Sequence, residues 1–219
     1  MKLLLVASDP REFSGIRSLA KSRDAVVRLG ANKFYLSAKG VGAKRAMEAV
    51  DAAISFHPDA IVSTGFCGAL DTRLGIADIV VATCVVTPAG SRYAPHSVDG
   101  GSHCAVCSLD HVVQTAAEKR TLAAHGFGAV EMEAAGVAAR AEALNLPLYC
   151  IRSVSDLAGE DMANDFNQAL TPDGHFDTMN LLRDSLRRPL TRIPELLRLR
   201  KRCVRAAFAL GDFLADCRF

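Results

Sequence analysis

"PDAIVSTGFCGAL", residues 58–70, is the stretch whose reading decides the fold. Pro58 stops the helical stretch before it, Ala60–Ser63 reads as a buried strand, and Gly65 and Gly68 then allow a backbone turn close to a ligand. Working outward, "VGAKRAMEAVDAAISFH" (41–57) places Ala46, Ala49, Val50, Ala53 and Ile54 at helical spacing. "EAAGVAARAEALN" (133–145) is an Ala-rich helix ending at Asn145, before Pro147. Further buried-strand candidates are Leu3–Ala7, Phe34–Ala38, Asp78–Val86, Ala105–Ser108 and Leu148–Ser153. The stretch Thr87–Gly101, rich in Pro, Gly, Ser and His, reads as a loop. Strands alternating with helices argue an α/β domain with a mixed or mostly parallel sheet. Such folds place ligands in loops at the carboxyl ends of the strands.

A chain of 219 residues is one large domain, or one domain plus an appendage, and 50% apolar with 23% charged residues is ordinary for a soluble globule. The formal net charge of +2 hides an asymmetry. Residues 183–205 hold nine Arg and Lys against Asp184 and Glu195, a local +7, so the remainder nets −5. The organisation expected is a body over 1–182 and a basic tail over 183–219. The seven cysteines are odd in number and irregularly spaced, which points to reduced thiols in a cytoplasmic protein. Cys104 and Cys107 form one CxxC without the second half of a zinc site, so no metal is expected. The start "MKLLLVAS" is too short an apolar run for a signal peptide and reads as a first strand. No segment approaches the ~20 apolar residues that a membrane span needs.

Acidic residues gather where strands are expected to end. "ASDPREF" (7–13) closes the first strand with Asp9, Arg11 and Glu12, "AVEMEA" (129–134) holds Glu131 and Glu133, and "IRSVSD" (151–156) ends in Ser155 and Asp156. Each has an ordinary alternative. Asp9 and Glu12 can cap a helix, and Glu131 and Glu133 can be first-turn acids favoured by the helix dipole. Arg152 either orders the loop or pairs with an acid as structure. Together, three acid-bearing strand ends in one open sheet would converge on a single crevice. Other sites have less support: "GVGAKRA" (40–46) lacks the third glycine of a dinucleotide fingerprint, and neither a GxxxxGK[ST] loop nor a GxSxG elbow occurs.

"STGFCGAL…GIADIVVA", then "AVEMEAAGVAA", then "PLYCIRSVSDLAGED" resembles, in order and spacing, the purine nucleoside phosphorylase and methylthioadenosine/adenosylhomocysteine nucleosidase superfamily. The match covers about residues 1–170. The resemblance implies a three-layer α/β/α sandwich around a twisted mixed sheet. It implies cleavage of a ribosyl N-glycosidic bond with release of a purine base, without a cofactor. Breaking that bond needs a proton for the leaving base, so a carboxyl general acid is required. By motif position Asp156 resembles that acid, steadied by Ser155. Glu133 matches the glutamate that holds the ribose hydroxyls, Met132 the residue packing on the sugar, and Glu131 a supporting acid. Gly65 and Phe66 fall in the glycine motif that borders the substrate. Val112 and Val113 fall near the positions where members line the base with an aromatic and backbone groups, and neither is aromatic.

Charge bears on the nucleophile. Phosphorylases of this superfamily keep an arginine at the end of strand one and an arginine and a serine around the glycine loop. Here those slots align with Glu12, Ser63 and Phe66. A carboxylate repels phosphate and can deprotonate water, so hydrolysis is expected, with phosphorolysis the alternative.

Two departures concern the substrate. The segment between Val86 and "CSLD" is shorter than in typical members, which leaves the 5′ side of the nucleoside open. The tail 187–219 sets an apolar stripe, including Leu196, Leu197, Val204, Phe208 and Phe213, beside basic residues. Such a helix either lies on an anionic membrane surface or packs on the body or across a dimer interface. Nucleic acid is not an expected partner, because few aromatics accompany the basic residues. Together these features resemble the hopanoid-associated branch, which releases adenine from adenosylhopane. The rivals are a methylthioadenosine/adenosylhomocysteine or futalosine-type nucleosidase, and a non-catalytic purine-binding or membrane-associated protein. Membership also implies a homo-oligomer.

Overall fold

The computed structural model describes residues 1–219. The strands are β1 (Lys2–Ala7), β2 (Val26–Leu29), β3 (Asn32–Ala38), β4 (Ala60–Ala69), β5 (Ile79–Val86), β6 (Arg92–Tyr93), β7 (Ser102–Ser108), β8 (Phe127–Glu131) and β9 (Leu148–Asp156). The helices are α1 (Ser14–Ala20), α2 (Ala43–Ala53), α3 (Ala116–Ala124), α4 (Ala134–Ala143), α5 (Phe166–Ala169), α6 (Thr178–Ser185) and α7 (Pro189–Asp216).

The nine strands form one mixed sheet. β1 lies parallel between β3 and β4, and β9 runs parallel to β4 and antiparallel to β5. β8 pairs with the far end of β4 and with β7, so β4, β8, β7, β5 and β9 close on one another. Alternation along β1 assigns the layers, because successive side chains of a strand point to opposite faces. Leu3 and Leu5 pack in a cluster with Ile16 of α1 and with Leu210 and Leu214 of α7. Leu4 and Val6 pack on the other side with Ala46 and Val50 of α2 and Val137 and Ala138 of α4. The fold is therefore the three-layer α/β/α sandwich around a mixed sheet that the resemblance implied.

One element differs from the sequence reading. Ala60–Ser63 was expected to end in a turn, yet β4 runs on through both glycines to Ala69. Gly65, at φ +124°, bends the strand without ending it, and the pairing to β9 slips between Cys67 and Gly68. For the tail, expected either to lie on a membrane or to pack on the body or a second copy, α7 shows packing on the body. Ala206, Ala207, Leu210 and Leu214 are buried, and Leu210 and Leu214 join the core cluster under β1. α7 crosses α1 at Gly15 and Gly211. A Cβ added at Gly15 would lie 2.8 Å from the Phe208 Cα, and one at Gly211 2.5 Å from the Gly15 carbonyl carbon, so the two backbones touch. Cys104 and Cys107 of β7 pack into different clusters rather than facing each other.

Candidate active site

The strand ends converge. A cavity of about 180 Å³ is lined by Glu12, Phe66, Val112, Val113, Glu131, Met132, Glu133, Ser155 and Asp156. Of the residues expected at the site, only Gly65 is not on the wall. The Glu12 carboxylate occupies the space beside it, and any Cβ there would collide with that group. Gly68 does the same for Asp156, whose Oδ1 would sit 2.9 Å from an added Cβ. The glycines thus serve by making room for two carboxyl groups.

Glu12 lies in a short 3-10 turn after β1, started by Asp9, whose side chain accepts from the Arg11 amide at 2.8 Å. Arg11 turns outward into an ion pair with Asp9 at 2.7 Å, away from the cavity. The buried Glu12 carboxyl accepts from the Ser8 amide at 3.1 Å and from the Ser8 hydroxyl at 2.9 Å. Burial, followed by the neighbouring Glu133 charge, raises its pKa to about 8, although Arg152 and Ser8 oppose the shift.

Glu131 and Glu133 separate into two roles. Glu131 ends β8, and its Oε2 accepts from the amides of Glu133 and Ala134, both at 2.8 Å, at the start of α4. Glu131 therefore serves the helix N-terminus from the end of the preceding strand, while the first turn of α4 itself holds no acid. The same oxygen is ion-paired with Arg152. Glu133 is the residue preceding α4, and its Oε1 accepts from the Gly42 amide at 3.0 Å. Burial and then Glu131 push its carboxyl above the usual range. Arg152, fully buried on β9, donates to Ser63 Oγ at 2.8 Å and lies 3.4 Å from Glu133 Oε2. It is the internal counter-ion of the acid cluster, tied at each end by strand residues.

At the other end of the cavity Asp156 closes β9. The Ser155 hydroxyl lies 3.0 Å from its Oδ2. Its Oδ1 is ion-paired with Lys119 of α3, which the sequence reading missed. A lysine within "EKR" on a polar helix carries no signal that distinguishes it from a solvated charge. His111 and Phe176 also line the cavity and were missed. The His111 ring nitrogens meet Asp110 and Glu118, each at 2.8 Å, and these bonds raise its pKa. Val112 reaches the wall, but its amide donates to Asn167 Oδ1 at 2.7 Å and its carbonyl accepts from Asn167 Nδ2 at 2.9 Å.

The arrangement brings an acidic group poised near neutral pH, a second carboxylate bound to a helix start, and an aspartate at the opposite end into one partly apolar cavity. The family model of the phosphorylase superfamily matches residues 20–109 and 102–174, most of the sheet and the Glu131, Glu133 and Asp156 walls of the cavity, though not Glu12. The chain belongs to the phosphorylase superfamily. Among relatives in this superfamily, the 5′-methylthioadenosine/S-adenosylhomocysteine nucleosidase of Hydrogenovibrio crunogenus is 32% identical over 52% of this chain and 63% of its own length. That of Psychromonas ingrahamii is 26% identical over 78% of this chain and 92% of its own. The chain thus spans less than two thirds of the first relative and nearly all of the second. The Neisseria meningitidis nucleosidase structure in complex with methylthio-immucillin-A superposes with TM-score 0.71 at 18% identity, covering 98% of this chain and 96% of that one. A Helicobacter pylori futalosine hydrolase structure does so at TM-score 0.70 and 16% identity over the same shares. At those identities the superpositions speak for the shared superfamily fold.

Proposed function

We propose that this chain hydrolyses the N-glycosidic bond of an adenosine-type nucleoside, releasing adenine. One observation carries the choice of water over phosphate: the cavity wall holds four acids and no Arg or Lys. Arg11 is committed to Asp9 outside, and Arg152 is committed to Ser63, Glu131 and Glu133 beneath. A phosphate ion would meet carboxyl groups with no free cation to hold it, whereas water needs only a base.

In this scheme the water oxygen bonds to C1′ while Glu12 takes one of its protons. The C1′–N9 electron pair leaves with the base, and Asp156 supplies the proton that neutralises it at N7. Only the deprotonated form of Glu12 can take this proton, so turnover should rise with pH toward the group's pKa of about 8. Glu133 holds the ribose hydroxyls and faces the developing cation, Met132 packs on the sugar, and Phe66 and Val113 border the bound nucleoside.

The superfamily includes nucleosidases acting on 5′-thio nucleosides, and a methylthioadenosine/adenosylhomocysteine or futalosine-type substrate fits this scheme. A lipid-bearing, adenosylhopane-like 5′ substituent is favoured by a separate feature. Phe176 on the cavity wall leads into α6, where Met179 and Leu182 are exposed, followed by exposed Leu186 and by Leu190 at the start of α7, 93% exposed. Arg183, Arg187 and Arg188 stand among them. An apolar corner ringed by cations suits the surface of an anionic bilayer in peripheral contact, and no helix is long and apolar enough to cross a membrane. The same corner can instead cover a second copy in a homo-oligomer, which sedimentation with and without vesicles separates.

The deciding experiment is a base-release screen over 5′-methylthioadenosine, adenosylhomocysteine, futalosine and a lipid-bearing adenosine derivative, with and without phosphate. Release independent of phosphate supports hydrolysis. Ribose-1-phosphate formed only with added phosphate overturns it, and turnover of methylthioadenosine far above any lipid nucleoside removes the hopanoid reading.

A further inference from the structure

Lys119 has no part in the hydrolytic scheme, yet its position demands a reason. Its side chain is 1% exposed, and a lysine is almost never fully buried unless it is paired. Its ammonium donates to Asp156 Oδ1 and to the Leu157 carbonyl, the latter at 2.8 Å. These two acceptors belong to adjacent residues, so one cation fixes the Asp156 carboxyl against the backbone that follows β9. The Ser155 hydroxyl meets the other oxygen, Oδ2. The carboxyl is thereby held at both oxygens, by groups from two different elements.

The charges around Asp156 leave this task to Lys119. Arg202 of α7 is engaged by Glu160 at 2.5 and 3.0 Å. The thiols of buried Cys67 of β4 and half-buried Cys203 of α7 have pKa values pushed up by desolvation, so they bring no charge. Lys119 is the one cation in direct contact with the aspartate.

We propose that Lys119 is a positioning residue for the proton transfer to the leaving base. The inference rests on the assignment of Asp156 as general acid. As the C1′–N9 pair moves onto the base, the Asp156 proton passes to N7 and a carboxylate remains. That carboxylate is 13% exposed, so a neighbouring ammonium replaces solvation that water cannot supply. Lys119 also keeps the carboxyl plane fixed between turnovers, so the acid is aimed before substrate arrives. Water re-protonates Asp156 after the base departs.

The test compares wild type, Lys119→Met and Lys119→Arg for adenine release from 5′-methylthioadenosine, with folding checked by thermal melting. In Lys119→Met, kcat should fall about thirtyfold or more while KM stays within about threefold, because the contact acts on the transition state. Lys119→Arg keeps the cation and should restore most of kcat. A folded Lys119→Met with unchanged kcat, or with a loss carried by KM instead of kcat, overturns the inference. If Lys119→Met does not fold, Lys119→Arg decides: kcat and KM near wild type support the inference, and a kcat as low as about one thirtieth refutes it. A wild type that releases no base from any adenosine derivative overturns the general-acid assignment and this inference with it. An active wild type indifferent to Lys119 overturns the inference alone.

Discussion

Replacing Glu12 with glutamine should stabilise the fold while removing turnover, and the stabilisation should grow steeply with pH. The carboxyl is buried, and its pKa rises from 4.5 to about 8, first through burial and then through the neighbouring Glu133 charge. Between these two values the folded chain keeps a proton that the unfolded chain has released. Wild-type stability therefore declines as pH rises through that window, and the loss is complete only above the folded value. The separation of the two values corresponds to about 5 kcal/mol by pH 9. Glutamine carries no such proton and escapes this cost. Its amide also disturbs the two bonds from Ser8, an offset of about 1 kcal/mol that is the same at every pH. Urea unfolding of both proteins at pH 5, 7 and 9 reads the difference directly. The two should lie close together at pH 5, and the variant should lead by several kcal/mol at pH 9. Parallel behaviour across the range would refute the raised pKa of Glu12 and the reasoning that burial holds its proton.

Asp156→Asn should cut base release about a thousandfold while a nucleoside analogue still binds with near wild-type affinity by calorimetry, since the amide keeps the shape and loses the acid. Arg152→Met should cost about 3–5 kcal/mol and lower the melting temperature by roughly 10 °C, because Glu131 and Glu133 are then left buried without a counter-ion. Gly68→Ala should reduce kcat about a hundredfold with little loss of melting temperature, because the new Cβ would lie 2.9 Å from Asp156 Oδ1 and displaces the acid.

The parts of the fold that depend on local pattern were legible in the sequence. The run Leu3–Ala7 and the helical spacing of Ala46, Ala49 and Val50 fix one strand and one helix, and the structure puts both where expected. β8 was legible only at its acidic end, and its extent was not placed, because Gly128 and Ala129 carry little strand propensity over only five residues. The continuation of β4 was hidden for the opposite reason: its glycines read locally as breakers, while the strand persists through its long-range pairing to β9 and β8. At the site, the motifs pointed to Glu12, Glu133 and Asp156, but the division of labour between Glu131 and Glu133 depends on which one meets the α4 amides. Arg152 was undecided because its partners come from β4, β8 and the turn before α4, far apart in the chain.

The contact of Gly15 with Gly211 has a consequence for how the chain matures. Glu12 lies three residues before Gly15, so the stretch that carries it is braced by a helix made almost 200 residues later. During synthesis from the amino end, β1 and its neighbours can assemble early, but the bracing surface is still inside or below the ribosome. A nascent chain paused after β9 would already own Asp156, Glu133 and Arg152, yet it would hold Glu12 on an unsupported turn. Completion of the site is thus tied to release of residues 206–214, which makes base release by stalled or truncated chains a direct clock for the last step of folding.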